Sequence, residues 1–267
     1  MKKMIFEILK QLGLFLLAQV PILIVFVLLN LIFGVISDFF INVLSMLGLF
    51  SFYYVYSKWK KLPLTFLKYN KEIKIKKRVK EVIVMFGIDE LVIIILSLTL
   101  GKLVNLNSNL EITDYDFISL IANLFAIGLL GPVVEEFIFR GVILKRLGDN
   151  SYLRSILVVS IVFGIIHFNL LASLSAFTIS IMTCFVCVYT KDIWTGVALH
   201  VLVNIFHVLC SYLNAWSINE YFTDVILILS IIYSGYYLWR NHSAIKSQLH
   251  ALFNLNESDE QTPYSVS

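Results

Sequence analysis

Long apolar runs divided by short polar breaks set the rhythm of this chain. They predict helices over about Leu12–Val35, Phe39–Tyr56, Val82–Leu100, Phe117–Leu147, Leu153–Phe168, Leu174–Tyr189, Ile193–Leu213 and Val225–Trp239. Runs of about 18 apolar residues have the length a helix needs to cross the hydrocarbon core of a bilayer. The expected fold class is therefore all-α, a polytopic membrane protein of about eight transmembrane helices. Ser37-Asp38 and Lys191-Asp192 are the short polar turns between successive spans. The fourth run is too long for one straight span, and Gly131-Pro132 inside it predicts a break or kink with a fresh helix start before Glu135.

Composition agrees with this reading. Of 267 residues, 59% are hydrophobic and 15% charged, with mean hydropathy +0.85, whereas a soluble domain has about a quarter charged. The net charge of +3 says less than the placement of Lys and Arg. Lys58 to Lys80 holds ten basic residues and one acid, Glu72, as a cytoplasmic loop does. Ile73, Ile75 and Val79 within it suit a partly interfacial segment on anionic lipid. With both termini cytoplasmic, every Lys and Arg except Lys102 falls on or near the inner side. The first run is too long for a signal-peptide core, so it is expected to stay as a span. The polar tail to Ser267 reads as disordered. Nucleic-acid binding is not expected. Cys184, Cys187 and Cys210 lie in apolar helices and read as small buried hydrophobes.

Polar groups inside these runs carry the candidate chemistry. Charge at that depth is costly, by a few kcal/mol on insertion scales, and is seldom there without a task. Glu135, Glu136 and Arg140 lie on the fourth run, Phe163 and His167 on the fifth, His200 and Asn204 on the seventh. On an ideal helix Arg140 is about 40° round from Glu136, close enough to pair, while Glu135 faces elsewhere. A free carboxylate and an imidazole sharing a water make a general base, and a second imidazole with an amide can stabilise an oxyanion. Glu135, His167 and His200 are also a possible zinc set. Asn204 favours a metal-free site, because neutral amides are uncommon zinc ligands. Asp89 and Glu90 form a second acidic pair, read as partners for a neighbouring helix, as supports reaching the site residues, or as the lining of a polar path. His207, seven residues past His200, is read as structural.

Glu135-Glu136-x-x-x-Arg140, Phe163-x-x-x-His167 and His200-x-x-x-Asn204 stand in the order found in the CAAX protease and bacteriocin-processing family, also called Abi proteins. Over about Phe117 to Leu213 the chain resembles these intramembrane endopeptidases. The resemblance implies that Glu135 and His167 activate water, that His200 and Asn204 stabilise the oxyanion, and that Glu136, Arg140 and Phe163 support the site. It divides the chain into N-terminal spans with the basic loop (1–116), a catalytic core (117–213), and a last span with its tail (214–267). The implied substrate is a membrane-associated peptide or protein. Family members have been called metalloproteases, while the type II CAAX endopeptidases are compatible with a metal-free glutamate mechanism. A site with no required cofactor is the favoured expectation, and a divalent metal such as zinc the alternative. The implied location is a cell membrane, and the Lys- and Ile-rich composition leans bacterial. Some members act instead in bacteriocin immunity or sensor-kinase regulation, so a non-enzymatic membrane partner is the alternative. A small proton-carrying transporter is a third.

Overall fold

Eight helical rods are seen in the computed structural model, which describes residues 2–33, 38–61, 74–100, 115–147, 152–167, 169–217, 221–243 and 245–246. They are α1 (Lys2–Phe33), α2 (Asp38–Trp59), α3 (Ile75–Leu100), α4 (Phe117–Leu147), α5 (Tyr152–Ile165), α6 (Leu170–Thr190), α7 (Ile193–Ala215) and α8 (Tyr221–Arg240). Among the described residues there is no strand. Seven of the rods are long and apolar enough to cross a membrane. The chain is thus an all-α, multi-pass membrane protein. The interfacial reading of Ile73 and the tail from 247 to Ser267 lie outside the described residues. Residues 241–243 and 245–246, expected to belong to a disordered tail, are turn and helix, with Asn241 N donating to Tyr237 O at 3.0 Å and Ile245 N to Asn241 O at 2.9 Å.

Two expectations change. The fifth span was expected to reach Phe168, but α5 stops at Ile165 and a turn carries Ile166 and His167. Its 14 residues extend about 21 Å, short of a hydrocarbon core of about 30 Å. Asn169 closes the turn: its Oδ1 accepts from Leu171 N at 3.0 Å and Ala172 N at 3.2 Å, capping α6. The second change concerns Pro132. The rod does not break, since α4 runs continuously from Phe117 to Leu147, yet the expected fresh start is there: an α-helical segment begins at Gly131 with Pro132 in its first turn. A π-helical stretch, Leu124–Leu130, precedes it, and a second, Phe137–Leu144, follows the α-helical segment Gly131–Glu136. The Gly131 N–H bonds Ala126 O in the π register, and Pro132 falls in the first turn of the next α-helical segment, where a missing N–H is tolerated. Such π turns inside α-helices occur often at functional sites.

Local chemistry sets the helix ends. Asp116 caps α4, accepting from Ser119 N at 2.6 Å, and that bond holds its carboxyl below the ordinary carboxylate range. Lys191 takes a left-handed conformation (φ 51°), which turns the chain so that Asp192 can cap α7. Asp192 also meets Arg78 at 3.0 Å, and this buried pair ties the head of α3 to the head of α7. The interior of the bundle is apolar, built from Phe137, Ile138, Phe139, Val142 and Ile143 of α4 against Val159, Val162 and Phe163 of α5 and Leu199 and Val203 of α7. Gly87 brings α3 against α8, since a Cβ there would be 2.5 Å from Ser230 O.

Candidate active site

Within α4 the adjacent acids have different surroundings. The Glu136 side chain is fully buried and that of Glu135 is 19% exposed. Arg140 Nη1 lies 2.8 Å from Glu136 Oε1. Arg140 Nη2 donates to Ser180 O at 3.1 Å and to Thr183 Oγ, both on α6, and the guanidinium carbon sits 5.2 Å from the Phe163 ring centroid. Charge, hydrogen bonds and an aromatic face thus all hold this cation inside the bundle.

His200 lies between the two acids. Its Nδ1 is 2.9 Å from Glu136 Oε1 and its Nε2 is 3.6 Å from Glu135 Oε2. A carboxylate oxygen only accepts, so Nδ1 carries the proton toward Glu136 and Nε2 is turned to Glu135. Glu136 therefore orients both Arg140 and His200, while Glu135 has no donor within hydrogen-bond distance among the described residues. Gly196, one turn before His200, makes this approach possible. A Cβ there would overlap Cys187 Sγ and stand 3.3 Å from Glu136 Oε2.

His167 is placed differently. Its Nδ1 is 2.7 Å from Phe163 O, a carbonyl that only accepts, so Nε2 is left with its lone pair. The Phe163 ring stands edge-on between the imidazoles, with centroids 5.0 Å from His167 and 5.7 Å from His200. Asn204 Nδ2 donates to Ile127 O at 3.0 Å, inside the first π-helical stretch. The structure thus joins Glu135, Glu136, Arg140 and His200 directly. It brings His167 to them across Phe163, and ties Asn204 to the backbone of α4. Among the described residues no three His, Cys, Asp or Glu side chains form a group that could hold a metal ion, so Glu135, His167 and His200 do not fit a three-ligand metal centre in this arrangement.

Sequence reasoning missed Gly196, Ser180, Thr183 and the Ile127 carbonyl. Gly196 lies four residues before His200, a spacing that signals a close approach on one helix face. Ser180 and Thr183 show the same one-face spacing in an apolar helix. Nothing in the sequence marks a backbone carbonyl freed by a π turn.

An all-α membrane bundle with a buried Glu–Arg–His centre is the class these observations define. Residues 117–206, about a third of the chain, match the family described as "Type II CAAX prenyl endopeptidase Rce1-like", which shows the resemblance over the segment that holds all three motifs. An 82-residue stretch is 32% identical to the "Putative membrane peptidase YdiL" of Bacillus subtilis (strain 168), covering 30% of this chain and 34% of that protein. The match spans about a third of the length of that curated relative. No solved structure matches the chain.

Proposed function

We propose that the protein is an intramembrane endopeptidase that hydrolyses a peptide bond of a membrane-associated substrate, with Glu135 as general base. The observation that supports this is the asymmetry of the acid pair. Glu136 is committed to Arg140 and His200, whereas Glu135 is partly exposed and without a committed donor. Glu135 takes a proton from water, which His167 orients through its Nε2 lone pair. The oxygen of that water adds to the carbonyl carbon. In its imidazolium form His200 keeps Nδ1–H on Glu136 and carries a second proton on Nε2, and the developing oxyanion accepts from that Nε2–H and from the Asn204 N–H not given to Ile127. As the C–N bond breaks, Glu135 returns its proton to the leaving nitrogen, so the products are a carboxyl group and an amine. Each step uses groups of this chain, and no metal ion is required.

Purified protein in lipid vesicles, mixed with lipid-anchored peptides of varied sequence and read by mass spectrometry, tests the reading. Glu135→Gln is expected to slow cleavage about 10²- to 10⁴-fold, the usual contribution of a positioned base. A Glu135→Gln protein that cleaves at the wild-type rate would sink the assignment. A wild type that cleaves nothing, yet retains its cellular phenotype in the Glu135→Gln form, would favour the non-enzymatic alternative.

A further inference from the structure

Away from the candidate active site, α1 and α2 enclose a groove of about 780 Å³, within the size range of ligand pockets. Because only residues 34–37 separate them, the two helices run antiparallel. They meet at Gly48, where a Cβ would stand 2.6 Å from Ile22 Cγ1. Eight residues away from that contact in each helix, Leu14 lies level with Tyr56. The apolar walls run from Leu14 to Val25 on α1 and from Leu44 to Val55 on α2. Each is about 16 Å long, close to one leaflet, or half of a hydrocarbon core of about 30 Å. Ser51, the hydroxyl on these walls, gives its proton to Leu47 O at 2.8 Å within α2.

Charge gathers at the Tyr56 end. Lys58 lies in the last turn of α2, Lys60 and Lys61 follow it, and Arg146 stands at the end of α4. None of the four has an acid within ion-pair distance among the described residues. Lys60 Nζ sits 3.7 Å from the Trp59 ring centroid. Arg146 Nη1 donates to Tyr56 Oη, and its guanidinium carbon is 5.7 Å from the centroid of that ring. A guanidinium has five N–H donors and a phenol keeps its own O–H, so both groups can still donate to an anion. Tyr and Trp at such a level mark the boundary between hydrocarbon and headgroups. The occupant that fits is apolar over one leaflet and anionic at its end. A spanning peptide helix would need about twice that apolar length.

We propose that this groove binds one anionic phospholipid. Its acyl chains lie between α1 and α2, and its phosphate accepts from Arg146, from the Tyr56 O–H and from the lysines at the end of α2. Basic pockets between membrane helices suit acidic headgroups in this way. Arg146 belongs to α4, so the lipid joins the α1–α2 pair to the helix that carries Glu135 and Glu136.

Native mass spectrometry of the full-length protein tests this, after delipidation in detergent and addition of phosphatidylglycerol or phosphatidylcholine with the same chains. No peptidase substrate is needed, so the outcome is independent of the peptidase reading. The wild type is expected to keep one phosphatidylglycerol per chain, about fivefold or more over phosphatidylcholine, the factor for each basic group beside an anionic headgroup. Arg146→Gln is expected to lower that retention about fivefold. Ser51→Trp, which fills the groove and leaves the basic rim intact, should remove the adduct. Equal retention of the two lipids by the wild type would overturn the proposal. Phosphatidylglycerol retention unmoved by Ser51→Trp would overturn it too, whether or not Arg146→Gln accumulates. A dimer that Ser51→Trp dissolves, seen in place of the adduct, would overturn the lipid and give this face to a second copy of the chain.

Discussion

Glu136 serves two partners at once, and this explains why it is fully enclosed while its neighbour in sequence is not. Its Oε1 faces Arg140 at 2.8 Å and His200 at 2.9 Å, so truncating the arginine would leave a buried carboxylate with an imidazole alone. Breaking a buried pair by removing one partner costs about 3–5 kcal/mol. Arg140→Ala is therefore expected to lower the amount of folded protein in the membrane. Glu135→Ala, at a partly exposed acid without a committed donor, should leave that amount near wild type. Immunoblots of the two variants check this, and equal abundance would argue against the anchoring role of Arg140. Metal removal is a second test at this scale. Activity is expected to survive chelation; loss on chelation with recovery on added zinc would contradict the metal-free proposal.

At the scale of elements, the candidate site depends on how closely α7 approaches α4 and α6, and Gly196 sets that approach. A methyl group there meets Cys187 Sγ and presses on Glu136. Gly196→Ala is expected to reduce stability and activity together, by about 1–3 kcal/mol as overpacking does. Cys187→Ala, which clears the space, should restore much of the loss in the double variant. Thermal unfolding in detergent measures it, and strictly additive effects would show that the two residues are not in conflict. The turn after α5 is the other positioning element. Asn169→Ala removes the cap of α6 at a cost of about 1 kcal/mol, and should impair activity more than stability because His167 sits two residues earlier.

Over the whole molecule, the number and order of the helices were legible from apolar runs, because a bilayer demands length and hydrophobicity that few other folds need. Grouping polar residues from three runs was also legible, since each stands out against an apolar background. Ile165 could not be picked as the end of α5, because apolar residues continue past it to Phe168 and the stop depends on Asn169 capping the next helix. The π-helical stretches around Pro132 escaped for a similar reason: proline marks a disturbed hydrogen bond, but packing decides whether the helix breaks or shifts register. His207 read as structural, and its contact with Glu90 came from the approach of α3 to α7, a distance no linear pattern contains. The same limit hid the shared use of His200 by both acids.

The most direct test of the peptidase reading needs no known substrate. N-terminal peptides of membrane proteins can be mapped by mass spectrometry in cells expressing the wild type, Glu135→Gln, or neither. New N-termini within or beside membrane segments are expected only in cells with the wild type, at equal abundance of the two forms. Identical sets of N-termini in wild-type and Glu135→Gln cells would contradict proteolysis by this chain.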